Sequence, residues 1–390
     1  MKSTLLVLVF FFSVYVMSQT PVNYSAIDSK IATIPSDNSN SIQSIADYIN
    51  ANFKSDNDKI RAVFYWTTSN ISYDVANMFA VNIDETPQDR ILKTLKTKKG
   101  ICQDYAFVFN EIAHLVNVKS VVISGYTKQN GKVDILSHAW CAAKVDNKWF
   151  LFDPTWGSGF ISNKKFNRKI NNNYFKVSPG QMIKSHMPFD YIWQFLDYPI
   201  TNREFVVGKT NVDKTKKQYD FTTEIVKYES LTKTDQFFET AQRIEKNGII
   251  NNLISEACAY QKRAWKNELE NGNVEILNQN VILYNEAINE FNDFIMYRNN
   301  KFKPSLSDEE IKYKITNPIQ KLKKCQESLF KIGNLSATNS DILRNLKKSV
   351  ADAILESDKH LQFVTSYLSK GKMVRKTMFS KITWFGIPLN

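Results

Sequence analysis

Residues 137–157, SHAWCAAKVDNKWFLFDPTWG, decide how the first half of this 390-residue chain is read. Ser137–Val145 and Lys148–Phe152 carry the alternating pattern of strands, and Asp146-Asn147 between them is a two-residue hairpin loop. A loop of that length pairs Val145 with Lys148 and, counting outward, Trp140 with Asp153. Side chains two apart share a face, so His138 becomes a diagonal neighbour of Asp153, within hydrogen-bonding reach. A four-residue loop preserves this register, whereas a three-residue loop places the two on opposite faces. Cys141 points to the other face and reads as core.

The segment before the hairpin is helical. Ile42, Ile45, Ile49 and Phe53, then Ile60, Val63, Phe64 and Trp66, recur at helical spacing between Ser41 and Asp74. A further helix begins near Arg90, Gly100 breaks it, and a new one starts around Cys102 with Tyr105, Phe109 and Ile112 on its buried side. Lys119–Tyr126 reads as one more strand. A thiol in the first turn of a helix is favoured as thiolate by the unpaired N–H groups, and Lys98 and Lys99 add to the effect. Alone, such a cysteine is more often structural. If its helix packs on the face that carries His138, a nucleophilic triad results. Cys102 then attacks, His138 takes its proton, and Asp153 holds the ring in the right tautomer.

These residues resemble the core motifs of transglutaminase-like domains: Gly100 to Ala106 (GICQDYA), Ser137 to Trp140 (SHAW) and Trp149 to Gly157 (WFLFDPTWG). Trp66 through Tyr73-Asp74 resembles that family's preceding helix. Phe189–Leu196, after His186-Met187-Pro188, resembles the extension of secreted bacterial relatives and of the kyphoscoliosis-peptidase and cytokinesis-protein branch. The resemblance implies a papain-like α+β fold, a helix on an antiparallel sheet, and assigns Cys102, His138 and Asp153 the roles of nucleophile, base and orienting carboxylate. It implies a thioester acyl-enzyme. Water resolving it gives a peptidase or amidase, an amine gives a transamidase, and an envelope scaffold with a relic triad is the non-catalytic alternative. No counterpart of the flanking β-domains or calcium sites of animal crosslinking enzymes is present. Trp140, Trp156 and Gln103 are the candidate substrate contacts. The backbone N–H of Cys102 is a candidate oxyanion donor.

Beyond this region the expectations come from pattern. Lys2 and the apolar run Leu5–Met17, with Val16-Met17-Ser18 before Gln19, read as a signal peptide over 1–18, and hence a secreted or periplasmic protein. The run is too short to span a bilayer, so no transmembrane segment remains after cleavage. Residues 19–208 then form the transglutaminase-like domain with its extension, 209–231 a linker, and 232–390 an all-α helical bundle. Its marks are the heptad-spaced Leu277, Val281, Tyr284, Ile288, Phe291 and Ile295, and the stripe Ile311, Ile315, Ile319, Leu322, Cys325 and Leu329. Ser307 and Glu310 form a capping box, and Pro318 is expected to kink the helix they start. The bundle packs on itself, self-associates or binds a protein partner. Four cysteines at wide spacing do not suggest a disulfide framework.

The formal charge of +12 suggests nucleic acid, but Lys164, Lys165, Arg168 and Lys169, and the Lys370–Lys381 run, lack the pattern of a binding module. They read as solvated faces, with an anionic envelope polymer or membrane surface as a partner. The four histidines lack metal-ligand spacing and no phosphate loop occurs, so neither metal nor cofactor is expected. His114 and His360 read as helix surface, and His186 as a cleft-lining or turn residue. The family resemblance implies a protein or peptide substrate.

Overall fold

The computed structural model describes residues 23–79, 85–379, 383–384 and 387–388, and the leader expected over 1–18 lies outside them. Two compact units form. One holds the chain up to Lys227 with Arg243–Ala257, the other Tyr228–Gln242 with the chain from Cys258 onward.

The first unit opens with α1 (Ser25–Ala32), α2 (Ile42–Asn52) and α3 (Asp56–Asn70). Ser41 and Ser55 cap the second and third by accepting from backbone N–H groups, and Asp56 and Asp58 complement the dipole of α3. The helix expected to run toward Asp74 stops at Asn70, and β1 (Ser72–Tyr73) follows. α4 (Pro87–Thr97) starts with a Thr86–Asp89 capping box and a proline in its first turn, and ends at Lys98 in the left-handed region. β2 (Lys99–Gly100) pairs parallel with β1, setting Tyr73 beside Gly100, and α5 (Cys102–Leu115) begins two residues later.

β3 (Ser120–Gln129), β4 (Lys132–Val145) and β5 (Lys148–Phe152) form an antiparallel sheet that β8 (His186–Pro188) completes, in the order β5-β4-β3-β8. β3 and β4 are longer than the alternation predicts and meet at Asn130-Gly131, where both residues have positive φ. Asp146 (φ 51°) and Asn147 (φ 63°) also lie in the left-handed region, which a tight two-residue hairpin needs. The β4–β5 register is the one spacing predicts, from Val145 opposite Lys148 to Cys141 opposite Phe152.

The packing face of α5 differs from expectation. Phe109, Ile112 and Ala106 bury against Ala139, Cys141, Ala143, Val145 and Phe152, the face opposite His138, and the Cys141 thiol donates to Ala106 O at 3.4 Å. Small apolar side chains make that face a flat seat for a helix, whereas the His138–Trp140 face is filled by aromatic rings. Each fully buried Phe or Ile here contributes about 1.5–3 kcal/mol.

After β5 come α6 (Pro154–Ser158), the hairpin β6 (Gly159–Ser162) and β7 (Lys165–Arg168), and α7 (Pro179–Met182). The chain then returns to the free edge of β3 as β8, with Thr127 opposite His186 and Gly125 opposite Pro188. Gly125 is obligatory there, since a Cβ would run into Met187 O and the Trp140 ring. α8 (Asn202–Val206) follows, residues 207–220 carry no helix or strand, and α9 spans Phe221–Ser230.

Five helices follow, α10 (Lys233–Lys246), α11 (Asn252–Asn299), α12 (Asp308–Leu329), α13 (Ala337–Leu368) and α14 (Lys372–Thr377), and then the short antiparallel pair β9 (Thr383–Trp384) and β10 (Ile387–Pro388). Within the second unit the expected seam packs internally. Phe291 and Phe294 meet Ile311, Ile315, Ile319 and Val364, and Leu277 meets Cys325, Leu329, Leu346 and Val350. The Ser307–Glu310 capping box is present, and α12 continues through Pro318 to Leu329. His360, expected on the surface, is buried, because it shares the inward face of α13 with Val350, Ser357 and Val364 and meets the ring edges of Phe291 and Phe294. None of the four cysteines is in a disulfide. No described helix is long and apolar enough to cross a membrane.

Candidate active site

Cys102 is the first residue of α5 and is half-buried. Its turn is held from below. Asp104 Oδ2 accepts from the Ile101 N–H at 2.7 Å, and its Oδ1 accepts from Arg90 Nε at 2.8 Å. Gly100 makes this closure possible, since a Cβ there would lie 2.5 Å from Asp104 Cβ. The helix start therefore presents its sulfur on a rigid support, with unpaired backbone N–H groups around it.

Asp153 is placed by a different local rule. It is the N-cap of α6, and its Oδ1 accepts from the N–H groups of Thr155 (2.9 Å) and Trp156 (3.0 Å), with Pro154 at the first helical position. Oδ2 is left for the sheet, and His138 Nε2 donates to it at 2.8 Å. That bond leaves Nδ1 as the ring nitrogen available to Cys102, whose thiol is near enough to the ring to help raise the pKa of His138. The sulfur thus arrives from the end of α5, even though the helix body lies on the other face of the sheet.

A third donor is present that spacing did not reveal. His186 Nε2 lies 3.1 Å from the same Asp153 Oδ2, and Ser185 Oγ lies 2.8 Å from His186 Nδ1. His138, Asp153 and His186 are 9%, 0% and 1% exposed. The His186-Met187-Pro188 triplet was the available signal, but which strand edge it joins is a non-local property. The three groups converge within 4.8 Å, a spacing a metal ion could also use, and here both imidazole N–H groups are spent on Asp153 Oδ2.

The electrostatics sort the groups. Burial pushes His138 toward the neutral ring, but the charge and hydrogen bond of Asp153, then Cys102, override it and raise its pKa to about 10. Burial pushes Asp153 up, and His138, then His186, pull it well below the usual carboxylate range. His186 is lowered, by burial first, with the nearby His138 charge adding to the effect. Burial raises Tyr73, and the charge of Cys102 raises it further. Burial also raises the Cys141 thiol.

Aromatic rings wall the site. Trp140 stacks on His138 at 6.1 Å and is 1% exposed, while Trp156 is half-buried, 5.5 Å from His138 and 4.6 Å from His186. Gln103 sits half-buried beside Cys102 in the first turn of α5. Trp149 stacks instead on Phe195. His114 is exposed and bonds Ser120 O. A cavity of about 730 Å³ lined by Ile42, Ile91, Leu95, Lys98 and Leu115 contains none of these groups.

Known proteins match this part of the chain. Residues 43–154 match the model of the transglutaminase-like superfamily. The chain is similar to kyphoscoliosis peptidase of Mus musculus, 33% identical over 159 residues that cover 39% of this chain and 24% of that protein. It is similar to hillarin of Drosophila melanogaster, 22% identical over 205 residues, 47% of this chain and 24% of that one. The chain therefore spans about a quarter of the length of these relatives. A solved structure of a TGase aligns at 19% identity and TM-score 0.25, covering 42% of this chain and 40% of that one.

Proposed function

Residues 43–154 belong to the transglutaminase-like superfamily, a family of cysteine-dependent acyltransferases and proteases, and on that premise we propose that this chain is an exported enzyme that cleaves peptide or amide bonds through a thioester on Cys102. The observation that carries the reading is the buried His138–Asp153 pair at 2.8 Å, with the thiol of Cys102 near enough to the ring to help raise its pKa.

The chemistry follows from that arrangement. His138 takes the thiol proton, and the sulfur attacks the carbonyl carbon. The backbone N–H of Cys102 faces the developing oxyanion. The tetrahedral adduct collapses as His138 gives its proton to the leaving amine, and the acyl group stays on sulfur. Water then attacks the thioester with His138 as base, releasing the acid and restoring the thiol. Asp153 keeps its charge throughout and compensates that of the imidazolium. Gln103, next to Cys102 in the first turn of α5, and Trp156 and Trp140, beside the His138 ring, are the side chains we assign to substrate contact. The composition of residues 1–18 supports export to the periplasm or medium, where the substrate is a protein or peptide.

The test is a library of unstructured peptides with mass-spectrometric readout. The reading expects hydrolysed products from the wild type and none from Cys102→Ala. Products that incorporate an added primary amine, without hydrolysis, would reassign the enzyme to transamidation.

A further inference from the structure

We propose that His186 is a positioning residue of this site: a neutral imidazole that donates from Nε2 to Asp153 Oδ2 and clamps the carboxylate in the orientation from which it grips His138. The inference rests on the proposed role of Cys102 and His138 and extends it to a fourth side chain.

The geometry fixes the tautomer. An ionised Asp153 Oδ2 can only accept, so the His186 Nε2 that faces it at 3.1 Å carries a proton, and Nδ1 of the neutral ring accepts from Ser185 Oγ, 2.8 Å away. Asp153 is then closed on both oxygens, with two backbone N–H groups on Oδ1 and two imidazole N–H groups on Oδ2. A fully buried carboxylate with four donors stays ionised and cannot rotate. The His186 ring is itself immobilised. β8 pairs with β3 through Thr127, and the rings of Trp140 (5.2 Å), Trp156 (4.6 Å) and Tyr174 (6.2 Å) surround it. The titratable groups that face it are Asp153 and His138 on Oδ2's side, Tyr174, and Asp134, which is bonded to Thr127 on the paired strand. Two imidazoles sharing one carboxylate oxygen cannot both hold a charge cheaply. His138, which takes up the thiol proton, carries it, and His186, enclosed by the rings of Trp140, Trp156 and Tyr174, does not.

Three measurements test this. Long-range proton–nitrogen NMR of the wild-type protein should find His186 neutral with Nε2 protonated at pH values where His138 is charged. A charged His186, or an Nδ1–H tautomer, overturns the proposal. Iodoacetamide alkylation of Cys102 across pH, per folded molecule, should fall about ten- to a hundredfold at pH 7 in His186→Ala, the span of a hydrogen bond to a charged group. Its acid limb should move to higher pH, because a carboxylate with fewer donors is easier to protonate. His186→Gln, whose amide N–H replaces Nε2–H, should recover to within about threefold by retaining that charge-assisted bond. Loss of folding stability in both variants with unchanged Cys102 rates and pH limb means a merely structural residue, and equal losses in Ala and Gln rule out the donor. If wild-type Cys102 reacts no faster than an unfolded-chain thiol, the acyl-transfer reading itself fails, and the role of His186 in it fails too. A reactive wild type with an unaffected His186→Ala removes the His186 role alone.

Discussion

Replacing Asp153 by Asn changes one acceptor into a donor at the most enclosed point of the site. The amide oxygen must stay where Oδ1 is, because Thr155 and Trp156 donate there. The amide nitrogen then faces His138 Nε2 and His186 Nε2, which in the wild type donate to Oδ2 across 2.8 and 3.1 Å. Both rings adapt by accepting at Nε2 and carrying the proton on Nδ1. For His186 that is tolerable, since Ser185 can accept. For His138 it places an N–H against the thiol and removes the base. The fold should therefore survive with a loss of about 1–3 kcal/mol, the range for a disturbed buried hydrogen bond. Turnover should drop by roughly 10⁴, the effect of the same change in a Ser-His-Asp enzyme. The assay is acylation of Cys102 by a 4-nitrophenyl ester, followed by mass spectrometry, with circular dichroism to confirm folding. A folded Asp153→Asn protein that keeps more than about a tenth of the wild-type rate refutes the reasoning, because a wrong-tautomer base cannot sustain it.

Other outcomes follow from the same structure. His138, raised from 6.5 to about 10, contributes stability that is complete below pH 6.5 and is lost as pH rises toward 10. Asp153, lowered from 3.8, contributes stability present above that value and lost as pH falls through its folded pKa. In denaturation curves from pH 5 to 10, the wild-type-minus-Asp153→Asn difference should shrink on the alkaline side, and a flat difference contradicts the pairing. Gly100→Ala must displace Asp104 and the first turn of α5, so it should cost about 1–3 kcal/mol and slow Cys102 alkylation. An unchanged rate would mean that the turn does not position the sulfur. Ser307→Ala removes the cap of α12 and should cost about 1 kcal/mol by thermal denaturation, and no loss would make that cap dispensable.

Much of the site was legible where chemistry is local. The Asp146-Asn147 turn and strand alternation put His138 beside Asp153 because side-chain period and hairpin register are short-range rules. The capping boxes at Thr86 and Ser307 are equally local. The face that α5 covers was not legible. Alternation distinguishes two faces, but Ala139, Cys141 and Ala143 against His138 and Trp140 does not announce which one a helix will choose. His186 escaped for the same reason at longer range. It reaches Asp153 only because the chain returns, 33 residues later, to the edge of β3. The position of Tyr73 opposite Gly100 depends on a two-residue parallel pairing too short to leave a pattern.

The most direct test of the central claim is the pH dependence of iodoacetamide alkylation at Cys102 in the wild type and in His138→Ala, with buried Cys141 as internal control. The account predicts selective reaction at Cys102 near neutral pH and loss of that reactivity without His138. Equal, sluggish reaction in both proteins, with Cys102 no faster than Cys141, would contradict it.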